Sequence, residues 1–409
     1  MLDEQETIGK RIRRARLRLG MPQADLAAAV GRTQGWVSKV EAGRIELDRA
    51  GVINQLAAAL HCHPNDLVER PYIAEKSSEN QWHISAAAIL RELRRYDLTP
   101  VFDGSPRASR DLWRETEHLH RLRDEAANTA ILGMLPDLLR EARALAEVAA
   151  GHEREEAFSV YAVCCKFAHT AAHTLGHPEL IAMACERASW AAARSGDSVL
   201  PAVADWMRVW DMWATADWPD AIALSDKALR SIEDANQMGD PLAVRAWGSL
   251  HLRAAVSAAR AGDAQQVEDR IEEARRAARR MKPAGRATFD RHSLTFSLGN
   301  VQVHAVSVQV EMGDHTKALL LNERADPQHV SALPKSRRGH HRMDLARAWL
   351  WDGNRDRALT ELEEAERIAP QLVRNHPIAR ATLRKIVYAE RAATRERLRR
   401  MSDRFRLDG

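Results

Sequence analysis

The sequence predicts an all-α protein in which a small N-terminal domain of five helices precedes a longer α-solenoid. Three observations support this fold class. Only 5% of the 409 residues are aromatic, whereas the strong helix formers Ala, Leu, Arg and Glu are abundant. No stretch alternates apolar and polar residues over the length of a strand. The chain is also too long for one small domain, so a second module must follow the first.

The stretch from Gln23 to Gly43 has the spacing of two short helices joined by a tight turn. Its fifth residue is Ala27, at the point where two crossing helices come closest and a large side chain would separate them. Its ninth is Gly31, because a left-handed turn costs glycine almost nothing. An apolar seam joins the two helices through Leu26, Val30, Val37 and Val40. The opposite face of the second helix therefore points outward.

Polar residues occupy the outward face of this second helix, which begins near Gln34. A glutamine at this end of a recognition helix can pair with N6 and N7 of adenine in the major groove. Gln23 opens the preceding helix, where its side chain and free backbone N–H groups are placed to hold a phosphate. The residues expected to contact double-stranded DNA are Gln23, Arg32, Thr33, Gln34, Gly35, Trp36, Ser38, Lys39 and Arg44, with Arg11 and Arg14 of the first helix.

Basic residues are concentrated on the predicted first helix, Ile8 to Leu19. A helix beside the DNA-reading stretch can contact backbone phosphates, and a solvated arginine face is the alternative for about half of them. The residues concerned are Lys10, Arg11, Arg13, Arg14, Arg16 and Arg18. The formal net charge of +4 does not by itself indicate nucleic-acid binding.

This stretch resembles the Xre/Cro family of phage-repressor-like regulators. In that family the second helix opens with Gln, and the third typically reads SQ, three variable residues, Ser, a basic residue, Ile or Val, and E-x-G. The corresponding segments here are Thr33-Gln34 and Ser38-Lys39-Val40-Glu41-Ala42-Gly43. Pro22 departs from the pattern, since Ser or Thr usually caps this helix, and we expect a weaker cap. The resemblance implies a lambda-repressor-like helix-turn-helix domain.

The first domain is expected to span residues 1–70. A helix from about Arg49 to Leu60 and a last turn opened by Pro64 complete it. Residues 71–81 are polar and are predicted to be a linker. Residues 82–409 are predicted to form the second domain, with a basic C-terminal helix or tail. Its last segment, Arg374 to Arg406, contains eleven Lys or Arg. Two interpretations remain: the segment is a solvated end, or it contacts DNA or a partner.

A repeat appears in the second domain when its small turn residues are aligned. Five segments share a turn residue, a capping residue after it, and an alanine twelve positions beyond the turn. The turns are 40 to 51 residues apart, the range of helical-hairpin solenoids. The turn residues are Gly176, Ala216, Gly262, Gly313 and Gly353, the capping residues are His177, Asp217, Asp263, Asp314 and Asn354, and the alanines are Ala188, Ala228, Ala274, Ala325 and Ala365.

The second domain resembles the tetratricopeptide-like C-terminal regions of many actinobacterial Xre-type regulators, which implies a sensor and dimerisation domain. Trp206, Trp210 and Trp213 share one helix face, either as a packing stripe or as the wall of a ligand groove. Two further pairs have the spacing i, i+4, and an asparagine amide can grip a peptide backbone by donor and acceptor. The residues expected to bind a small-molecule or peptide effector are Trp206, Trp210, Trp247, Asn300 and His304.

Other classes of function have little support in the sequence. Cys165, His169, His173 and His177 recur every fourth residue, but a straight row cannot surround one metal ion without a second helix, such as the one carrying Cys185. We expect no metal, no cofactor and no enzymatic activity, because protease, GxSxG and phosphate-loop patterns are missing.

The four cysteines form no CxxC pair, which indicates a reduced compartment. The sequence shows no apparent signal peptide or membrane-spanning run. We therefore expect a cytoplasmic protein that makes no membrane contact. The predicted function is a DNA-binding transcriptional regulator. Because one recognition helix makes few contacts, we expect a homodimer on two half-sites. The alternative is an interaction scaffold, adaptor or antitoxin-like protein whose N-terminal bundle docks on another protein.

Overall fold

The structure, a computed structural model, describes residues 7–68, 77–281, 290–388 and 395–405. Every regular element in these ranges is a helix, and none of the described residues forms a strand. The predicted all-α fold class is therefore confirmed. Within the same ranges, no helix is both long enough and apolar enough to cross a membrane.

The N-terminal domain consists of five helices, as predicted. They are α1 (Ile8–Arg18), α2 (Gln23–Ala29), α3 (Gln34–Glu41), α4 (Ala50–Ala59) and α5 (Pro64–Leu67). Thr7, Thr33 and His63 cap α1, α3 and α5 through their side chains, whereas Pro22 leaves α2 without a side-chain cap. The missing side-chain cap on α2 agrees with the weaker cap expected at Pro22.

The predicted apolar seam forms the core of this domain. Leu26, Val37 and Val40 are fully buried, but Val30 is only half-buried because it ends α2 at the turn. Gly31 has a φ of 62°, the left-handed conformation that the turn requires. Helices α1 and α3 cross so closely that a Cβ on Gly9 would lie 2.2 Å from the carbonyl oxygen of Val40. The core also contains Leu47, Ile53, Leu56, Leu60 and Leu67.

The second domain begins with a helix that already starts at Ser77, within the range predicted to be a linker. Residues 71–76 of that range lie outside the described residues. Three helices precede the repeats: α6 (Ser77–Arg94), α7 (Ser109–Asp124) and α8 (Asn128–Val148). The repeats are five antiparallel hairpins: α9 (Gly151–Leu175) with α10 (Pro178–Ala192), α11 (Leu200–Met212) with α12 (Trp218–Ser231), α14 (Pro241–Ala261) with α15 (Ala264–Arg280), α16 (Leu298–Met312) with α17 (His315–Glu323), and α19 (Lys335–Trp351) with α20 (Arg355–Ile368).

The short helices α13 (Glu233–Gln237) and α18 (Pro327–Ser331) lie between hairpins, and α21 (Pro370–Asn375), α22 (Pro377–Tyr388) and α23 (Arg395–Phe405) follow the last one. The five predicted turn residues all adopt left-handed φ values, between 58° at Ala216 and 87° at Gly313. Asp263, Asp314 and Asn354 cap the next helix as predicted, whereas His177 and Asp217 accept no capping hydrogen bond. Four of the five repeat alanines are buried; Ala325 is half-exposed because α17 ends before it.

The first helices of successive hairpins stack in the order α9, α11, α14, α16 and α19, and α22 continues the row. The resulting superhelix closes on itself, since α7 contacts α19 and α9 contacts α21. Lys335 of α19 pairs with Glu125 at the end of α7, and Ala126 packs into the apolar cluster of the last hairpin. We call the enclosed side of the stacked first helices the inner face.

The basic C-terminal segment is not a free tail in its described part. Helix α23 buries Leu398, Met401 and Phe405 against the last hairpin. Arg404 and Arg374 both pair with Glu366 of α20, at 2.7 and 2.9 Å. Of the two forms expected, a basic helix or a tail, the described part is a helix, and carboxylates of the adjacent helix neutralise these arginines. Residues 389–394 and 406–409 lie outside the described part of the chain.

The N-terminal domain packs against the ends of the inner-face helices through α4 and the loop before it. Asp48 accepts hydrogen bonds from Trp351 Nε1 at 3.0 Å and from Lys385 Nζ at 2.7 Å. The side-chain amide of Asn54 donates to the carbonyl oxygen of Trp213, and Ile378 of α22 completes the N-terminal core. Helix α3 is thus held at a defined position relative to the solenoid.

Replacing Asp48 with Ala is expected to weaken this contact between domains. The change leaves the Lys385 ammonium and the Trp351 indole without their shared acceptor, which costs about 1 to 3 kcal/mol of unfolding free energy. Urea denaturation of the full chain checks the value. Asp97→Ala, in an exposed loop, is the control, and an equal effect of the two substitutions would show that Asp48 contributes nothing special.

Candidate DNA-binding surface and inner face of the solenoid

The N-terminal end of α3 is the most accessible part of the first domain. Arg32, Gln34, Gly35, Ser38 and Lys39 are all exposed. No side chain of the described residues hydrogen-bonds to those of Gln34, Ser38 or Lys39, so these groups can bond to another molecule. Arg44, beyond the end of α3, and Arg14 on α1 are exposed too, whereas Arg11 is half-buried.

Two other predicted contact residues have structural roles. The Thr33 hydroxyl accepts the backbone N–H of Trp36 at 3.2 Å and so caps α3. The Trp36 ring is half-buried and packs against the domain core, with the Arg32 guanidinium 5.6 Å from its centre. Trp36 therefore positions α3, and only the outer edge of its ring is exposed to solvent.

A buried ion pair connects α1 to α3. Arg16 donates through Nε and Nη2 to the two carboxylate oxygens of Glu41, at 2.6 and 3.0 Å, and through Nη1 to the carbonyl oxygen of Met21 at 2.6 Å. Burial raises the pKa of Glu41, but hydrogen bonds from Arg16 and Gln23 and the charge of Arg16 outweigh it and lower that pKa. The Arg16 guanidinium is thus occupied by hydrogen bonds within the domain.

The same carboxylate also engages Gln23, whose Nε2 donates to Glu41 Oε2 at 2.8 Å. The expectation that the whole Gln23 side chain holds a phosphate is corrected in this respect. The amide nitrogen of Gln23 already donates to Glu41. The groups that remain for a hydrogen bond to another molecule are the Oε1 atom and the uncapped backbone N–H groups at the start of α2. Sequence reasoning missed this link because its partners are 18 residues apart.

The inner face brings together the tryptophans of α11 and an arginine of α14. The Arg253 guanidinium carbon lies 4.0 Å from the ring centre of Trp206, 4.3 Å from that of Trp210 and 5.0 Å from that of Trp213. Such stacking is favourable, since the aromatic face is negative. The tryptophan stripe therefore packs and also lines the inner face. His304 lies in the same region, because the charges of Arg337 and Arg253 both act on it.

Two predicted effector-binding residues are placed differently. Trp247 neighbours His251, with ring centres 5.3 Å apart, and the pKa of His251 responds, after burial, to Arg270 of α15 and Asp226 of α12. His251 and Arg253 point in nearly opposite directions because two helical residues are about 200° apart. Trp247 thus lies near the side of α14 that carries His251, and its role in binding an effector stays a prediction.

Asn300 is 2% exposed and serves the entry to α16. Its Nδ2 donates to the carbonyl oxygen of Thr295 at 2.6 Å, while Oδ1 has no hydrogen-bond partner among the described residues. The amide therefore cannot grip a peptide backbone by both groups, as the prediction requires. The amide is used locally, because Asn300 lies in the first turn of α16 and bonds to the segment that precedes this helix.

The row of cysteine and histidines on α9 is packed into the protein. The Nε2 atoms of His169 and His173 are 3.2 Å apart, and the ring of His173 stacks on Trp210 with centres 3.8 Å apart. Burial, chiefly, lowers the pKa of both histidines well below the usual range, so both are neutral at pH 7. Among the residues that the structure describes, no three His, Cys, Asp or Glu side chains form a group that could hold a metal ion.

The cations of the inner face were missed in the sequence. Lys166, Arg253 and Arg337 belong to three different first helices, and each lies on a stripe of polar residues along its helix. The stripe on α19, for example, is Arg337, His340, Asp344 and Arg347. Polar residues at i, i+3 and i+7 on the first helix of each hairpin are the signal that finds them.

A segment between α15 and α16 also reaches these cations. The carbonyl oxygen of Ser293 accepts hydrogen bonds from Arg123 and, at 2.6 Å, from Lys166 Nζ. His292 in the same segment hydrogen-bonds to Asp197 at 2.8 Å. Burial, chiefly, lowers the pKa of Lys166 to about 7, with Asp290 opposing the repulsion of the neighbouring arginines. Residues 290–297 therefore cover one end of the inner face.

Comparison with known proteins identifies the first domain. Residues 7–70 match the family described as a helix-turn-helix domain. No curated protein matches the sequence. Among solved structures, the crystal structure of Bacillus thuringiensis PlcR in complex with the peptide PapR7 and DNA is similar at 14% identity, over 66% of this chain and 94% of that chain, with a TM-score of 0.27. The chain thus has a helix-turn-helix domain at residues 7–70, followed by a domain of helical repeats.

Proposed function

We propose that this protein is a transcriptional regulator that binds double-stranded DNA sequence-specifically through α3. The observation that carries the proposal is the exposed N-terminal end of α3 in a helix-turn-helix domain, with Gln34 free to form hydrogen bonds. A recognition helix reads base edges with this end in the major groove. Gln34 then pairs with adenine, while Lys39 and Arg44 contact backbone phosphates.

The regulator acts as a homodimer in this proposal. One short recognition helix offers few base contacts, and two helices on half-sites one turn of DNA apart multiply them. Helix α4 packs on the solenoid within one chain, so the two recognition helices would be spaced by the solenoid domains. A two-fold symmetric operator follows from this arrangement.

The inner face is proposed to bind the effector and to pass its effect to α3. Trp206, Trp210 and His304 line that face beside Arg253. Trp213 links the two domains, because its ring contacts Arg253 and its carbonyl oxygen accepts a hydrogen bond from Asn54 of α4. A ligand that moves Arg253 therefore shifts the contact on which the N-terminal domain rests.

Selection of fragmented genomic DNA by the purified full chain, near physiological salt, tests the DNA-binding proposal. We expect a shared two-fold symmetric motif, and Gln34→Ala should lose about 1 to 3 kcal/mol of discrimination at one base position of each half-site. Gln371→Ala replaces an exposed glutamine on α21 and is the matched control. An equal loss by Gln34→Ala on every DNA sequence would overturn the reading role, and absence of any enriched motif would favour a protein-docking role.

A further inference from the structure

Arg253 is a buried cation without an anion. Its side chain extends from the middle of α14, and the residue is 7% exposed. The Nη2 atom has no hydrogen-bond partner, and none of the described carboxylates pairs with this guanidinium. Stacking on three tryptophans is its main favourable contact. A buried charge is costly when it is unpaired, and cation–π contact offsets only part of that cost.

Three other cations of this region, Lys166, Arg260 and Arg347, have acceptors. Lys166 donates to Ser293 and has Asp290 nearby. Arg260 pairs with Glu311 at 3.3 Å, and Arg347 with Asp344 at 3.1 Å. The fold therefore supplies acceptors for this region except where Arg253 lies.

Arg337 of α19 is the second cation at this place. It donates no hydrogen bond among the described residues, and its nearby carboxylate, Asp344, already pairs with Arg347. After burial, Arg337 is the strongest charged influence on Arg253 and lowers its pKa. The same two arginines lower the pKa of His304, after burial, to about 3. Arg337 and His304 thus lie within electrostatic range of Arg253, whose guanidinium lies against the tryptophans.

We propose that Arg253 and Arg337 bind the anionic group of a small effector, either a carboxylate or a phosphate, whose remaining atoms lie against the rings of Trp206 and Trp210. Planar guanidinium groups bind both anions through paired hydrogen bonds. The anion supplies the acceptor that Arg253 lacks and offsets the repulsion between the arginines. The regulatory role of this site rests on the function proposed above, whereas the binding of an anion does not.

The test is a titration of the full chain with citrate and, separately, with inorganic phosphate, at pH 7 and constant ionic strength maintained with NaCl. Binding is followed by tryptophan fluorescence and by calorimetry, since Trp206 and Trp210 lie at the site. We expect saturable binding of at least one anion, weakened about tenfold or more in Arg253→Gln and in Arg337→Gln. The tighter anion identifies the source as a carboxylate or a phosphate compound.

Arg357→Gln is the matched control, because Arg357 stacks on Trp349 at 4.5 Å on an exposed surface and should bind anions like the wild type. Circular dichroism confirms that each variant is folded, and Arg337→Gln provides a second variant in a half-exposed position. No saturable binding of either anion, or equal affinity in all four proteins, would overturn the proposal.

Operator binding measured in the same titration separates this site from the proposed function. Saturable anion binding that leaves DNA affinity unchanged would keep the site and remove its sensing role. Specific DNA binding by a chain that binds neither anion would keep the regulator and remove the site.

Discussion

Replacing Glu41 with Ala is expected to unfold the N-terminal domain or leave it marginally stable. The substitution removes the two carboxylate oxygens that accept from the buried Arg16 guanidinium, leaving only the Met21 carbonyl, and it removes the partner of Gln23. Removing one member of a buried ion pair costs about 3 to 5 kcal/mol, because the remaining charge is desolvated without compensation. A small domain has a total stability of only about 5 kcal/mol or somewhat more. Operator affinity and the thermal unfolding of the full chain measure the effect.

The paired substitution Arg16→Met with Glu41→Leu is the control for this prediction. It removes both charges together and fills their volume with apolar atoms, which is often neutral or stabilising. We therefore expect the double variant to recover most of the unfolding free energy lost in Glu41→Ala. If the double variant is as unstable as the single one, the unpaired Arg16 charge is not the cause of the loss.

Acidification is expected to unfold the solenoid domain well above the pH at which its carboxylates titrate. Burial, chiefly, lowers the pKa of His251 and of His304 to about 3, and that of His376 to about 4. In the unfolded chain these histidines titrate near pH 6.5. Between pH 6.5 and pH 3 or 4 the unfolded state binds more protons, so the free energy of unfolding falls as the pH falls through this window.

The expected magnitude follows from the same linkage. A histidine with a pKa of about 3 in the folded state and about 6.5 in the unfolded state contributes roughly 4 to 5 kcal/mol at pH 7, all lost by pH 3. Together, several such residues contribute an energy comparable to the stability of an ordinary domain. We therefore expect circular dichroism to show a steep loss of helix between about pH 6 and pH 4. The lowered pKa values of these histidines set that range.

His251→Leu tests which residues carry this dependence. The substitution removes one protonation site from a buried position, so the slope of unfolding free energy against pH should fall by up to one proton below pH 6.5. His152→Gln, where the side chain is 83% exposed, is the control and should leave the slope unchanged. An unaltered slope in His251→Leu would show that His251 is not held neutral by burial.

The sequence by itself was sufficient for the elements whose causes are local. Glycine at position 31 and small residues at the five repeat turns indicate left-handed backbone, and each adopts it. The apolar seam of the first domain and the all-α class follow from spacing and composition, which act over a few residues. The outward position of Gln34 follows from the same periodicity, because one face of a short helix must be buried.

Only the tertiary structure decided which polar groups meet. Arg16 and Gln23 both engage Glu41, and Arg253 reaches Trp206 and Arg337 from other hairpins. Helical spacing states on which face of its own helix a residue lies, but not which neighbour that face meets or how far the superhelix closes. That closure turns an ordinary polar stripe into an enclosed surface, where Arg253 is buried without an anion and several histidines are neutral.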